Sequence, residues 1–395
     1  MNSILGYEES YLKEINGYIT AKEIRQQPRL WKETIEIIKD NKEKIKEFFN
    51  GVNGEENLRI VFTGAGTSAF VGECVAPYLD NLIERRVEAI STTDIVSNPE
   101  NYLHSDTPTL LISCARSGNS PESVATVELA EDIIENLYQI ILTCNPDGSL
   151  AKKASESDKN LLLLMPADSN DQGFAMTGSF TTMVLSSLLI FNLDNLEQME
   201  KDFLAMSKLG EDLLKNRFND IKKLSDLNYE RIIYLGSSTL KGLARESALK
   251  NLELTRGKII SDYNSSLGFR HGPKSIINDK TLIISYLSND KYTRQYEIDL
   301  LREMKEENGN KKIIAVSAQK DDEVEKLVDY FISLDADDVE FKSDAFLVLN
   351  YILIAQVFAL FKSISLDISP DNPSPDGVVN RVVKGVIIHP YTIDE

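Results

Sequence analysis

Short apolar runs rich in β-branched residues alternate along the chain with helix-length amphipathic stretches. RIVFT (residues 59–63), LLIS (110–113), QIILT (139–143) and LLLLM (161–165) read as strands, and the segments between them read as helices. Strands separated by helices pair in parallel through right-handed crossovers, which predicts a doubly wound α/β sheet. The pattern then recurs. RIVFTGAGTS (59–68) returns as RIIYLGSSTL (231–240), and TLLIS (109–113) returns as TLIIS (281–285), both displaced by 172 residues; IILT (140–143) returns as IIAV (313–316), displaced by 173. Three apolar runs in one order at nearly one offset indicate a duplicated domain. The expected layout is a helical extension over 1–50, a first copy over 51–205, a second over 215–370 and a tail over 371–395. In the extension, Thr20 caps one helix and Pro28 starts the next. The apolar stretch 346–361 is short for a membrane span and reads as a buried helix. The proline-rich opening of the tail predicts an extended crossing before residues 378–388 pack.

Composition narrows the class. With 395 residues, 42% apolar and 27% charged, the chain has the make-up of a soluble globular enzyme. A net charge of −19, from 43 basic and 62 acidic residues, argues against binding a nucleic-acid backbone. A local basic pocket for a small anion stays compatible with it. Cys74, Cys114 and Cys144 are sparse and odd in number, which fits buried thiols in a reducing cytoplasm. No CxxC or HxxxH spacing exists among the three histidines, so no metal site is expected. The amino terminus lacks a basic region followed by an apolar one, so neither a secretory leader nor a membrane partner is read.

The copies differ where chemistry would sit. SCARSGNSPES (113–123) follows a strand and precedes a helix. Ser117, Gly118, Asn119 and Ser120 offer hydroxyls, an amide and a flexible backbone, Pro121 suits the first helical position, and Arg116 adds a charge. The loop is either an anion site or a turn whose Ser120 caps the helix. TGAGTSAF (63–70) lacks the third glycine of a dinucleotide fingerprint, so no nicotinamide cofactor is read. Its Gly66, Thr67 and Ser68 instead lie at the neighbouring strand end, where a sugar phosphate would sit. In the second copy, LARESALKNLELTRG (243–257) puts Ala244, Ala248 and Leu252 on a buried stripe. Glu246, Lys250 and Glu253 fall on one polar face, and Gly257 is the C′ residue. That face is either solvated or poised for acid–base work. His271 follows in the turn-rich NSSLGFRHGPKS (264–275), and histidine is the side chain that titrates near neutrality. A phosphate loop in one copy and carboxylates in the other imply one composite site.

Together GAGTS, SGNSPES, ESALKNLELT, FRHGPKS and NRVVKGVII resemble the sugar isomerase (SIS) family, whose members carry the fold twice. The isomerase half of glucosamine-6-phosphate synthase is one relative. The AgaS type, from amino-galactose catabolism, is closer, sharing TGAGTSAF, ARSGNSPESVA, GFAMT, GFRHGPKS and NRVV. The resemblance covers about residues 20–390. It implies that Ser68, Ser117 and Ser120 hold phosphate, with Ala115 and Arg116 standing where the synthase has Ser and Gln. It also implies that Glu253 carries a proton between C2 and C1 with Lys250 assisting. By the same token His271, lent by a neighbouring subunit, opens the sugar ring; Glu246 faces substrate; and Lys384 lies over the sugar.

Those roles suit the reaction. Moving a proton between adjacent carbons needs one base reaching both on one face, and ring opening needs a second acid–base group. Fixed donors can stabilise the intermediate without a cofactor or metal. No glutaminase domain supplies ammonia, so release of ammonia from galactosamine-6-phosphate is the expected direction, in a cytoplasmic homodimer or larger homo-oligomer. A tagatose-6-phosphate ketose/aldose isomerase without ammonia release, and a non-catalytic sugar-phosphate sensor, are the alternatives.

Overall fold

The computed structural model describes residues 3–392 except 156, 337, 338, 340 and 384. Two five-stranded sheets account for the duplication. The first contains β1 (Arg59–Thr63), β2 (Val87–Ala89), β3 (Thr109–Ala115), β4 (Leu137–Thr143) and β5 (Asn160–Leu164), ordered β2-β1-β3-β4-β5. The second contains β6 (Arg231–Leu235), β7 (Ile260–Asn264), β8 (Thr281–Tyr286), β9 (Lys312–Ser317) and β10 (Tyr330–Ser333), ordered β7-β6-β8-β9-β10. Every pairing in both sheets is parallel. The same order therefore occurs twice, with its reversal beside the first strand of each copy. That reversal opens a crevice at the carboxyl ends of the strands, where such folds bind ligands.

The strands expected from apolar runs are present. β2, β7 and β10 were not expected. β2 is three residues long, and β7 reads Ile-Ser-Asp-Tyr-Asn, a half-exposed edge strand with no apolar run. The helix Asp344–Ser365 is buried from Ala345 through Ser363, as the apolar stretch 346–361 required.

Compactness does not follow the four consecutive segments read from the sequence. One unit comprises the chain up to Arg29, Gln172–Thr177 and Glu200–Asp376; the other comprises Leu30–Asp171, Gly178–Met199 and the chain from Gly377. The two expected helices of the extension are one helix, Tyr18–Asp40, with Pro28 inside it. Thr20 does not cap it. Instead the Asp371 carboxylate accepts from the N–H groups of Ile19 (3.0 Å) and Thr20 (2.7 Å) and from the Thr20 hydroxyl. Pro28 leaves the Ile24 carbonyl without its helical donor, and the Gln27 side-chain amide donates to it at 3.2 Å. The tail does not bury its apolar residues: Val378 is 82% exposed, and Val379, Val383, Ile387 and Ile388 are exposed too.

Candidate active site

The candidate phosphate loops lie at the carboxyl ends of β1 and β3, within one unit. After β1 the chain turns through Gly64 and Gly66 into the helix Thr67–Ile83. A Cβ on Gly64 would lie 2.6 Å from the Ser68 backbone, so only glycine permits this close turn. Gly66 takes φ +55° at the N-cap, and Thr67 and Ser68 begin the helix with buried side chains. After β3, Ser120 occupies the N-cap of the helix Pro121–Ile133, and Pro121 its first position, as expected. The Ser120 hydroxyl does not cap. It donates to the Ser123 hydroxyl at 2.6 Å, so the simple capping explanation of this serine fails.

The rest of the loop is braced from behind. The Asn145 amide donates to the Ser117 carbonyl at 2.9 Å, and Leu150 N–H to the Gly118 carbonyl at 3.1 Å. The Asn119 carboxamide oxygen accepts from the N–H and hydroxyl of Ser149, so its acceptor is committed to the fold. The N–H groups of Gly118 and Ser120 have no partner among the described residues. Unpaired donors ahead of a helix N-terminus form a ready anion cradle. Arg116 is buried, and its guanidinium donates to the Arg381 carbonyl at 2.9 Å. Arg381 in turn donates to the Asp171 carbonyl at 2.5 Å, and the Asp171 carboxylate accepts from Gly178 N–H (3.1 Å) and Ser179 N–H (2.9 Å). In this line of contacts Arg116 and Arg381 belong to the ARSGNSPESVA and NRVV motifs, whereas Asp171, Gly178 and Ser179 carried no motif in the sequence. Lys384 lies outside the described residues.

In the other unit, the helix Thr239–Leu254 follows β6 and carries the candidate acid–base residues. Ser238 at its N-cap has φ +50° and ψ −123°, against +55° and −129° at Gly66, so the duplication preserved this unusual turn. The helix is buried far beyond its alanine stripe. Glu246, Ser247, Lys250 and Asn251 are all inaccessible, whereas Leu252, expected inside, is 43% exposed. The Ser247 hydroxyl shares a hydrogen bond with the Tyr286 hydroxyl at 2.8 Å, and Asn251 donates to Ser261 at 2.6 Å, which fixes the helix on its sheet.

Lys250 Nζ lies 2.6 Å from Glu253 Oε2 and 3.4 Å from Glu246 Oε1. Burial works against the ammonium, but the two carboxylates outweigh it and hold its pKa above the ordinary value. Lys250 is therefore a permanent donor at neutral pH. The polar face is not a solvated one. Glu246, expected to face substrate, is wholly buried beside Lys250, and Glu253 is the member of the group whose side chain reaches the surface.

The helix ends in a Schellman arrangement that differs by one residue from the expectation. Arg256, at φ +52°, is the C′ residue and donates its N–H to the Glu253 carbonyl (3.1 Å); Gly257, at φ +69°, is C″ and donates to the Leu252 carbonyl (2.9 Å). The motif pins the turn that carries Glu253. His271 lies on an exposed turn after the short helix Ser266–Phe269, and its ring has no partner among the described residues. The flanking cations are fixed: Arg270 pairs with Glu303 at 2.6 Å, and Lys274 pairs with Glu303 and Glu307.

A twice-carried parallel sheet in one order, with a serine-rich loop at the first switch point, defines a sugar isomerase (SIS) protein, and the SIS domain family matches residues 55–192. D-galactosamine-6-phosphate deaminase AgaS of Shewanella sp. (strain ANA-3) is 41% identical over 99% of this chain and 96% of its own. The crystal structure of tagatose-6-phosphate ketose/aldose isomerase from Escherichia coli is 39% identical, with a TM-score of 0.86, and covers 95% of this chain and 98% of its own. A Clostridium novyi NT crystal structure is 55% identical, with a TM-score of 0.97, over 99% of this chain and 100% of its own. The chain belongs to the AgaS-type branch of the SIS family.

Proposed function

We propose that the chain is a cytoplasmic sugar-phosphate aldose/ketose isomerase with deaminase activity, converting galactosamine-6-phosphate and water to tagatose-6-phosphate and ammonia. The observation that carries this reading is Glu253, an accessible carboxylate held 2.6 Å from a buried, permanently charged lysine. Such a pair supplies a base with a fixed position and a donor beside it.

In this mechanism Ser68, Ser117 and Ser120, with the N–H groups of Gly118 and Ser120, hold the phosphate beside Gly66 and Thr67. Arg116 braces the loop. His271 moves the ring proton that opens the sugar to its aldehyde, and its exposed, unpartnered ring is suited to a site completed by a second copy of the chain. Glu253 removes the C2 proton to give the enolamine and returns a proton to C1, which leaves a protonated imine at C2. Water adds at C2, the C–N bond breaks, and ammonia departs from the resulting ketose. Lys250 orients Glu253 and donates toward the developing oxygen charge, and Glu246 positions Lys250.

A second reading, plain isomerisation of tagatose-6-phosphate, is favoured by the name of the E. coli structure. Assay of ammonia from galactosamine-6-phosphate and glucosamine-6-phosphate separates them. Ammonia and tagatose-6-phosphate in equal amounts from the galacto substrate are expected. No ammonia from either, with turnover of tagatose-6-phosphate, would leave the isomerase alone.

A further inference from the structure

Duplication gives the second sheet its own switch point, between β6 and β8, and the loop there has no role in the reaction above. The helix Lys291–Glu306 follows β8 as Pro121–Ile133 follows β3, and a displacement of 172 sets Ser288, Asn289 and Asp290 at the places of Arg116, Ser117 and Gly118. In the first copy this loop presents unpaired donors. In the second the donors are taken by carboxylates of the chain itself. Ser288 N–H donates to Glu297 Oε2 (2.8 Å), Asn289 N–H to Asp344 Oδ1 (2.8 Å), and the Ser288 hydroxyl to Asp344 Oδ2 (2.5 Å). Asp290 caps the helix by accepting from Thr293 N–H at 2.8 Å.

The two carboxylates come from different elements, Glu297 from the helix after the loop and Asp344 from the first position of Asp344–Ser365, and Glu297 is buried. The nearby cation is also spent inward: Arg294 donates to the Ser288 carbonyl (3.0 Å), the Ser317 hydroxyl (3.1 Å) and Asp321 (2.7 Å). A phosphate placed here would find its donors already paired and two carboxylates, the buried Glu297 and the half-buried Asp344, in its place.

We propose that the second copy is an anion site closed from within, Glu297 and Asp344 standing where a phosphate would, so that each chain binds a single sugar phosphate on the first copy's loops. The inference rests on the reading that those first loops hold phosphate.

Equilibrium dialysis with labelled inorganic phosphate tests both. The wild type is expected to bind one phosphate per chain, S117A/S120A none, and E297A/D344A two, the second surviving when S117A/S120A is added. Two phosphates on the wild type, or only one on folded E297A/D344A, would overturn the closed site. A phosphate kept by S117A/S120A but lost by E297A/D344A would overturn the first-loop reading and the closed site together. Should E297A/D344A not fold, the wild-type ratio still decides.

Discussion

Lys250 is a buried ammonium between two carboxylates, and removing one partner of a buried pair is strongly destabilising because the remaining charge loses its compensation. Its pKa lies above the ordinary value, so the stability it contributes is complete at neutral pH and is lost only as the pH rises through that raised value. Lys250→Met is therefore expected to lower unfolding free energy by about 3 kcal/mol and kcat by about 10²-fold, checked by denaturant titration and steady-state kinetics. Glu297 titrates in a different window. Burial pushes its carboxyl up to about 7, against the pull of Ser288 N–H and Arg294, and Asp344 pushes the same way as burial. A carboxyl whose folded pKa is raised contributes most below its unfolded value of 4.5 and loses that contribution as the pH rises to about 7. Glu297→Gln should accordingly leave the melting temperature unchanged at low pH and raise it by about 2–5 °C at pH 8. An equal shift at both pH values would contradict the assignment. Asp344, Asp290, Arg294 and Asp321 all face this loop and stay in place in that comparison.

At the scale of elements, the turn after the first strand of each copy is the most constrained. Gly64 and its counterpart Gly236 both bring the backbone against the residue four positions on, and a Cβ on Gly236 would clash with the Leu240 carbonyl. Gly64→Ala would displace Ser68 and Thr67, and the expected result is a KM for sugar phosphate raised about tenfold with a smaller change in kcat. Much of this level was legible in the sequence. Buried parallel strands announce themselves as apolar runs, and both glycine turns lay where the crevice formed. Edge strands such as β7 do not, because half-exposed polar residues satisfy one sheet neighbour as well as they satisfy a loop. The carboxylate helix was misread for a related reason. Periodicity assigns apolar residues inward, so it placed Leu252 inside and left Glu246 and Lys250 to solvent, and only the tertiary fold puts that ion pair in the interior. The Pro28 helix is a comparable case, since the Gln27 amide that makes the proline tolerable has no signature in the sequence.

For the whole molecule, the proposed function reads the duplication as a division of labour that lets an acidic chain hold an anion. The first copy keeps unpaired backbone donors and a braced loop, so in the proposed function a net charge of −19 does not prevent phosphate binding there. The second fills the equivalent loop with its own carboxylates, and in the proposed function its first helix carries the proton transfer. The repeat was readable from apolar runs alone. The interleaved units were not, because Gln172–Thr177 and the two halves of Tyr18–Asp40 are assigned by tertiary contacts, not by any shift in composition. Whether Glu253 moves the proton that converts the amino sugar to a ketose can be read from turnover in D2O. Galactosamine-6-phosphate is turned over by wild type and Glu253→Gln, with product deuterium and ammonia measured together. The wild type is expected to give tagatose-6-phosphate whose new C1 hydrogen comes from substrate C2 and, as far as the Glu253 proton exchanges, from solvent deuterium, with equimolar ammonia. The variant is expected to do so at a rate lower by about 10³-fold. Ketose and ammonia at the wild-type rate from Glu253→Gln would contradict that role.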